Sequence, residues 1–336
     1  TLYSSMGVWG IIYYHIPRVV SECKRVGICP ENMQSLENIS SRASMIFINS
    51  VRTLEVPPRP HFPGVITAGG LNCRPAKSLP QDLESWIQDS GEAGFIYMSM
   101  GSIVKASDMP EQKRKILMEV FGSLPQRVLW KWDQETMENL PPNVRLSKWL
   151  PQQDILGHPK LKVFITHGGL FSVLEAVYHG VPILGMPVFY DQFTNIAQSE
   201  AEGFAERVEW EDLTVELFEG KLTKLITDDS YADVVKQRSV VMRDQPMSPQ
   251  DTIIYWTGYA LRHRGVPHLR SPLKEMPWYK LYNVDVWIVI LVGLMIVLLL
   301  LLTIILKSIS FLMRRCLRLF RTAEPSTQVQ KKKKTQ

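Results

Sequence analysis

A histidine and two glycines separate an apolar run from an amphipathic stretch in the segment VFITHGGLFSVLEA, residues 163–176. The apolar run predicts a buried strand that ends at Thr166, and helical periodicity begins near Leu170. Glycine lets a ligand approach the backbone closely, and the free N–H groups at a helix start suit a phosphate oxygen. His167 and Ser172 would add hydrogen-bond donors. The segment predicts a phosphate site, with a structural turn and a packed histidine as the alternative.

A carboxylate lies on the same predicted helix face as that hydroxyl, because Glu175 follows Ser172 by three residues. A carboxylate would repel a diphosphate unless it points past it. It could instead accept hydrogen bonds from two adjacent ribose hydroxyls, as the acid of dinucleotide folds does. A solvated helix acid is the alternative. The segment does not carry the G-x-G-x-x-G fingerprint, so a nicotinamide-dependent oxidoreductase is disfavoured.

Two more groups of polar and aromatic residues follow predicted strands. Trp149 ends the strand VRLSKW on the side away from its apolar face, so its ring is free to stack on a flat ligand, with core packing as the alternative. Gln152 follows and could read a base edge through its amide. Asp191 and Gln192 begin the helix after the strand PILGMP and could hold sugar hydroxyls, although Asp191 could equally be a simple N-cap. The histidines lack metal-ligand spacing, so we expect no metal site.

Short apolar runs alternate with helical periodicity through the middle of the chain. Strands are predicted over residues 95–100, 127–132, 144–149, 163–166 and 183–185, and helices over residues 110–122, 170–179, 191–202 and 213–226. Two more helices are predicted within residues 230–264. The alternation predicts an α/β fold with a parallel sheet covered on both faces. Such sheets bind ligands beyond the carboxyl ends of their strands, which is where the candidate residues lie.

An uncharged apolar stretch of 21 residues, 286–306, predicts one transmembrane helix, because it would span roughly 30 Å. The segment after it, residues 307–336, holds nine of the 38 basic residues but one of the 33 acidic residues. The positive-inside rule therefore predicts a cytoplasmic tail and a lumenal main body. The main body has more acidic than basic residues, so its charge argues against nucleic acid as a partner.

The sequence carries one candidate targeting signal and one candidate modification site. Lys333 and Lys334 resemble the dilysine retrieval signal of endoplasmic reticulum membrane proteins, with an ordinary basic tail as the alternative. Asn38 lies in the sequon Asn-Ile-Ser and is a candidate glycosylation site. We therefore expect a single-pass protein of the endoplasmic reticulum membrane.

The cysteine count and the first residue add two expectations. Cys23, Cys29 and Cys73 would be lumenal and Cys316 cytoplasmic, so at most one lumenal disulfide is predicted, with its pairing open. The chain begins with Thr1, and no signal peptide precedes the predicted lumenal part. Because a lumenal body with a C-terminal span normally needs one, we expect the natural sequence to continue upstream.

Taken together, these stretches resemble the signature of the UDP-glycosyltransferases, a membrane-bound family that includes glucuronosyl- and glucosyltransferases. The matching block covers residues 149–192, and four further segments resemble the family: GGLNCRPAKSLP, MSMGS, DQPMSPQDTIIYW and RHRGVPHLR. The resemblance implies a GT-B fold, in which two Rossmann-like domains face each other across a cleft. It also implies a UDP-sugar as co-substrate and no separate cofactor.

The resemblance further implies a role for each donor-site residue. The implied contacts are Trp149 on uracil, Gln152 on the uridine, Ser102, His167, Gly169 and Ser172 on the diphosphate, Glu175 on the ribose hydroxyls, and Asp191 and Gln192 on the transferred sugar. Vertebrate members often have Asn where this chain has Phe171, so Phe171 is left out of the site.

The resemblance also divides the chain into regions. These are residues 1–80, a C-terminal remnant of the acceptor domain with a linker, 81–265, the UDP-sugar-binding domain, 266–285, a juxtamembrane segment, 286–306, the transmembrane helix, and 307–336, the cytoplasmic tail. The family's catalytic histidine and its aspartate partner belong to the earlier part of the acceptor domain. His15 and His61 lack the required context, and neither is assigned as the base.

The implied activity is transfer of a hexose from UDP-sugar to a hydroxyl of a small lipophilic acceptor, with inversion. Glucose is favoured over glucuronic acid, because the segments THGGLFSVLEA and LRHRGVPHLRS are closer to invertebrate members. The alternative is a truncated, inactive, membrane-anchored UDP-sugar-binding protein that forms homo- or hetero-oligomers with complete partners.

Overall fold

The computed structural model describes residues 16–35, 42–55, 57–102, 105–271, 273 and 276–322. The chain divides into two units, residues 1–270 and residues 271–336, and each is described by itself. Five residues named above lie outside the described part of the chain: Thr1, His15, Asn38, Lys333 and Lys334.

Two parallel sheets provide the strands of the first unit. The strands are β1 (Ile46–Ile48), β2 (Val65–Thr67), β3 (Phe95–Ser99), β4 (Arg127–Lys131), β5 (Val144–Ser147), β6 (Leu161–Thr166), β7 (Ile183–Gly185) and β8 (Ala205–Arg207). β1 pairs with β2, and the other six form one sheet in the order β5-β4-β3-β6-β7-β8. The strand order reverses between β3 and β6, so the crevice beyond their carboxyl ends is the expected ligand position.

The helices of this unit lie before, between and after these strands in the chain. They are α1 (Ile16–Arg25), α2 (Gln81–Gln88), α3 (Glu111–Ser123), α4 (Gln152–Leu156), α5 (Leu170–His179), α6 (Gln192–Ala201), α7 (Val215–Thr227), α8 (Asp229–Arg243) and α9 (Pro249–Arg262). Local capping chemistry sets several ends. Gly180 takes a left-handed conformation and stops α5, while Thr214 and Ser248 accept hydrogen bonds from backbone N–H groups at the starts of α7 and α9.

The six-stranded sheet is covered on both faces. Along β3, Phe95 and Tyr97 belong to one hydrophobic cluster, which includes residues of α5 and α8. Ile96 and Met98 belong to the other cluster, which includes residues of α3 and α7. Successive side chains of a strand point to opposite faces, so a strand that is buried on both faces must be apolar throughout. The predicted parallel sheet between helical layers is confirmed.

Most of the elements that the sequence did not predict are short. These are β2 and β8, with three residues each, and α4, with five residues. The eight-residue helix α2 was also not predicted. Such short segments contain too few residues to establish a period of 2 or 3.6, whereas α5 was predicted with the bounds that the structure has.

A disulfide joins Cys23, in the last turn of α1, to Cys29, just after the helix. This agrees with the expectation of at most one lumenal disulfide and resolves its pairing. Cys73 is a buried free thiol, and burial raises its pKa to about 12, with a further contribution from the Glu175 carboxylate. Cys316 is free and exposed.

The second unit consists of two helices among its described residues, α10 (Trp278–Leu281) and α11 (Val284–Thr322). Within α11, residues Val284–Arg318 form a candidate membrane span of 35 residues, and its most apolar 18-residue window has a mean hydropathy of 3.5. The predicted transmembrane stretch, residues 286–306, lies inside this span. Its large apolar side chains are exposed, which is the arrangement that a helix surrounded by lipid requires.

Candidate functional site

The reversal of strand order brings the loop after β3 against the loop after β6. The imidazole of His167 lies between two glycines of these loops. A Cβ atom at Gly101 would lie 2.7 Å from Cε1 of His167, and a Cβ atom at Gly169 would lie 2.7 Å from its Nε2. Gly168 has a φ of 84°, and a Cβ atom there would collide with Ile196 at 2.4 Å. The two glycines after the histidine are therefore required by packing around the ring and by backbone conformation.

His167 is held in its neutral form. Burial lowers its pKa, the Lys131 cation lowers it further, and the Asp191 carboxylate opposes both. Its Nδ1 atom lies 3.3 Å from the hydroxyl of Thr166. A neutral imidazole carries one N–H, so His167 can donate one hydrogen bond to a ligand at the start of α5. The first N–H groups of that helix lack earlier helical carbonyls and add further donors.

A cavity of about 210 Å³ lies beside this loop pair and is lined by Ser102, Lys131 and Trp149. Trp149 is 78% exposed, so the core-packing alternative does not hold. The ammonium group of Lys131 lies 5.0 Å from the centroid of the Trp149 ring and donates a 2.9 Å hydrogen bond to the carbonyl oxygen of Gly101. The cavity therefore combines a flat aromatic surface, a cation and a hydroxyl.

The Glu175 carboxylate is fixed by two amides. Gln152 donates from Nε2 to Oε2 of Glu175 at 2.7 Å, and Asn72 donates from Nδ2 to Oε1 at 3.2 Å. The Gln152 amide also donates to the Ser172 hydroxyl at 3.3 Å, and its Oε1 accepts from the Tyr97 hydroxyl at 3.2 Å. Each carboxylate oxygen has more than one acceptor position, so each can accept a further hydroxyl donor. Glu175 is thus half-buried and oriented, unlike a solvated helix acid.

Asn195 organises the loop after β7. Its Nδ2 atom donates to the carbonyl oxygen of Gly168 at 3.0 Å and to Oδ2 of Asp191 at 2.9 Å. Asp191 occupies the N-cap position of α6, but its side chain accepts no capping hydrogen bond and is exposed. Gln192 is 4% exposed, and its Oε1 accepts from the backbone N–H groups of residues 188 and 189. The amide NH2 group of Gln192 therefore remains as the donor that could bind a ligand.

The structure thus places all the predicted donor-site residues at the carboxyl edge of the sheet. Trp149 and Ser102 line one cavity, Gln152, Ser172 and Glu175 form one hydrogen-bonded group, and the remaining residues surround the loop after β6. The amide of Gln152 is occupied by protein groups on both sides, so a contact between this residue and uridine stays a prediction. Phe171, which was left out of the site, is exposed.

Sequence reasoning missed four residues that shape this site: Tyr97, Lys131, Asn72 and Asn195. Lys131 is the last residue of β4, so a search for polar groups at strand ends would have found it. Asn72 gave no local signal, because it lies 103 residues from Glu175 in the chain.

Comparisons with known proteins agree on one family. A family model described as "UDP-glucoronosyl and UDP-glucosyl transferase" matches residues 26–322. The UDP-glycosyltransferase UGT5 of Dactylopius coccus is 42% identical over 76% of this chain and 48% of its own length. The UDP-glucuronosyltransferase 2B14 of Oryctolagus cuniculus is 40% identical over 75% of this chain and 47% of its own length. The UDP-glucuronosyltransferase 2A3 of Homo sapiens is 41% identical over 68% of this chain and 43% of its own length. The chain spans about half the length of the curated relatives that it matches.

Solved structures show the fold. CalG4, the calicheamicin glycosyltransferase, superposes with a TM-score of 0.56 at 15% identity, covering 78% of this chain and 64% of that one. The glycotransferase of kitacinnamycin superposes with a TM-score of 0.53 at 19% identity, covering 75% of this chain and 62% of that one. At these identities the likeness concerns the fold alone, and it confirms the predicted GT-B class.

Proposed function

We propose that this chain binds a UDP-sugar and provides the donor site for transfer of a hexose to an acceptor hydroxyl. The chain belongs to the UDP-glucoronosyl and UDP-glucosyl transferase family. The observation that carries the proposal is the exposed ring of Trp149 at the mouth of the cavity that it shares with Ser102 and Lys131. A tryptophan this exposed does not pack in the core, but its ring is available to stack on a nucleobase.

The diphosphate is proposed to lie at the carboxyl ends of β3 and β6. There the Ser102 hydroxyl, the neutral imidazole of His167, the backbone at Gly169 and the Ser172 hydroxyl can donate hydrogen bonds to phosphate oxygens. The ammonium group of Lys131 supplies positive charge within the same cavity. These donors bind the ground state and, more strongly, the charge that develops on UDP as it leaves.

The ribose and the sugar follow along the edge of the sheet. The two oxygens of the Glu175 carboxylate, each already fixed by one amide, accept the two vicinal ribose hydroxyls. The exposed carboxylate of Asp191, oriented by Asn195, and the amide NH2 of Gln192 bind hydroxyls of the transferred sugar. In this arrangement the base, phosphates, ribose and sugar each meet groups with suitable hydrogen-bonding or stacking chemistry.

The proposed reaction is an inverting displacement. The acceptor hydroxyl attacks the anomeric carbon, the bond from that carbon to the UDP oxygen breaks, and a base takes the hydroxyl proton. In this scheme His167 donates to the leaving diphosphate and does not act as the base, and its packing between Gly101 and Gly169 at the start of α5 supports this assignment. We propose glucose as the first donor to test and glucuronic acid as the second, with a small lipophilic alcohol or phenol as acceptor.

We further propose that α11 anchors the protein in the endoplasmic reticulum membrane, with the donor site on the lumenal side. The candidate span and the relatives named as UDP-glucuronosyltransferases support membrane anchoring. The side is inferred from the basic residues that follow the span.

The proposal is tested by calorimetric titration of the detergent-solubilised protein with UDP, UDP-glucose and UDP-glucuronate. We expect saturable binding of UDP and of at least one UDP-sugar, and weaker binding of ADP, whose purine does not match a site built for uracil. Absence of UDP binding by a folded protein would contradict the proposal.

Transfer is measured separately, as labelled sugar incorporated into a lipophilic alcohol by membranes that contain the full-length protein. Transfer from one donor identifies the sugar. Nucleotide binding without transfer from either donor would favour the alternative of an inactive UDP-sugar-binding protein.

A further inference from the structure

The loop after β2 contributes a hydrogen bond to the Glu175 carboxylate through the side chain of Asn72. Asn72 donates from Nδ2 to Oε1 of Glu175 at 3.2 Å and to the backbone carbonyl oxygen of Phe171 at 3.3 Å. The amide NH2 group has two hydrogens, so these two contacts use its full donor capacity. Asn72 therefore holds the carboxylate and the start of α5 with the same group.

The orientation of the Asn72 amide is determined by a second asparagine. Oδ1 of Asn49 accepts hydrogen bonds from the backbone N–H groups of Gly70, at 2.8 Å, and Leu71, at 3.3 Å. A backbone N–H can only donate, so the Asn49 oxygen must face the loop and its NH2 group must face away. That NH2 group donates to Oδ1 of Asn72 at 3.1 Å, which leaves the Asn72 NH2 group directed at Glu175.

The backbone of Asn72 is also fixed. Its carbonyl oxygen accepts a 2.7 Å hydrogen bond from Nε2 of Gln153, and Oε1 of Gln153 accepts a 2.7 Å hydrogen bond from the N–H of Arg74. Gln153 is the neighbour of Gln152, which donates to the other oxygen of Glu175. The two amides that hold the carboxylate are therefore themselves tied together across α4 and the loop after β2.

Both oxygens of Glu175 must keep a fixed direction if they are to accept two vicinal hydroxyls at once. A helix side chain with three rotatable bonds does not hold such a direction by itself, and Gln152 constrains only Oε2. We propose that Asn72 is a positioning residue that orients Glu175 toward the two ribose hydroxyls, so that it sets the preference of the site for ribonucleotides. This inference rests on the proposed UDP-sugar function and concerns a residue that does not itself touch the ligand.

The hydrogen bonds that orient Glu175 come from two regions of the chain. Asn49 and Asn72 lie within residues 1–80, the region predicted from sequence as a domain remnant and linker, whereas Glu175 lies in the predicted donor-binding region. The ribose position is then complete only when the loop after β2 is seated on α5, and displacement of that loop would weaken nucleotide binding.

The test compares UDP with 2′,3′-dideoxy-UDP, which lacks both ribose hydroxyls, by calorimetry on the detergent-solubilised protein. The wild-type protein should bind UDP about tenfold or more tightly than the dideoxy analogue, because hydrogen bonds to a charged group are lost. Asn72→Ala should reduce this ratio by about threefold to tenfold through weaker UDP binding, while the affinity for the dideoxy analogue stays the same.

Two further variants separate positioning from a general loss of structure. Asn72→Asp keeps the size of the side chain but presents an oxygen to Glu175, so the ratio should fall at least as far as in Asn72→Ala. In a Glu175→Ala background, Asn72→Ala should produce no further change in the ratio. Asn143 is the control, since its half-buried NH2 group lies within hydrogen-bond distance of three backbone carbonyls away from the site, and Asn143→Ala should lower the melting temperature without changing the ratio.

The outcomes for the two proposals are distinguishable. A wild-type protein that does not bind UDP would overturn the proposed function and this inference with it. A wild-type protein that prefers UDP over the dideoxy analogue, combined with an unchanged ratio in Asn72→Ala or an equal loss for both nucleotides, would overturn the positioning role alone.

Discussion

Gln152 and Glu175 are joined by a 2.7 Å hydrogen bond from Nε2 to Oε2, between side chains that are 23 residues apart on two different helices. A carboxylate can only accept hydrogen bonds, so the Gln152 NH2 group must face Glu175, and the buried Tyr97 hydroxyl donates to the oxygen at the other end of the amide. A residue expected from the family resemblance to contact the nucleotide thus also serves to orient the acid. The proposed ribose site is therefore built on a group of side chains that hydrogen-bond to one another.

The first prediction concerns the carboxylate. Glu175→Ala should weaken UDP binding by about 1.5–3 kcal/mol, because two ribose hydroxyls lose a charged acceptor. Calorimetric titration measures the change, and Glu219→Ala, which removes an exposed helix acid elsewhere, should bind UDP like the wild type. Equal affinities in Glu175→Ala and the wild type would show that the carboxylate does not bind ribose.

The second prediction concerns the aromatic surface. Trp149→Ala should weaken UDP binding by about 1–3 kcal/mol, the usual range for one base stacked on an aromatic ring. Trp149→Phe should retain part of that affinity, because a smaller ring still stacks. The matched control is Trp278→Ala, since Trp278 is 67% exposed but belongs to the second unit. A loss of the same size in both alanine variants would argue against stacking at Trp149.

The third prediction concerns the glycine after Gly168. Gly169 has an ordinary φ of −58°, so Gly169→Ala is not strained in its backbone, but the new Cβ would lie 2.7 Å from Nε2 of His167. The ring must move, and UDP affinity should fall by about tenfold with the fold retained. Gly220→Ala is the control, because nothing lies within 4 Å of a Cβ there. Unchanged UDP affinity in Gly169→Ala would remove His167 from the phosphate site.

The fourth prediction separates the sugar from the nucleotide. Asp191→Ala should weaken binding of UDP-glucose by about tenfold and leave UDP affinity within about twofold, because its exposed carboxylate is assigned to sugar hydroxyls alone. Asp212→Ala, another exposed loop acid, should change neither. Both affinities are measured by calorimetry, and an equal loss for UDP and UDP-glucose would contradict the assignment.

The fifth prediction concerns acid stability. Burial by itself would raise the pKa of Glu206, but hydrogen bonds from Lys221, Lys224 and Tyr231 outweigh it and bring the pKa from 4.5 to about 2. The donor–acceptor distances are 2.7, 2.6 and 2.5 Å. Because the folded pKa lies below the unfolded value, the stabilisation is fully present above 4.5 and is lost as the pH falls toward 2.

This loss should amount to on the order of 3 kcal/mol of unfolding free energy, since each pKa unit corresponds to about 1.4 kcal/mol. Thermal unfolding of the solubilised protein between about pH 5 and about pH 2 measures it. In Glu206→Gln the pH dependence should be shallower, whereas Glu216→Gln, at an exposed helix position, should follow the wild type. Parallel curves for Glu206→Gln and the wild type would refute this account.

Much of the fold could be predicted because its signals are local. The apolar run at β6, the glycine that stops α5 and the alternation of strands with helices are all readable within windows of a few residues. The family resemblance supplied the order of the donor-site residues along the chain. The same windows could not reveal β8 or α4, because three or five residues do not establish a period.

The sequence by itself thus determined the fold class, the candidate membrane span and the residue types at the ends of the strands. The tertiary structure decided which of those residues meet. It leaves Trp149 exposed beside Lys131, directs the amide of Gln152 away from solvent and toward Glu175, and brings Asn72 to the same carboxylate from 103 residues away. The physical reason is that periodicity follows from local backbone geometry, whereas hydrogen-bond partners far apart in the chain are set by how the loops pack at the edge of the sheet.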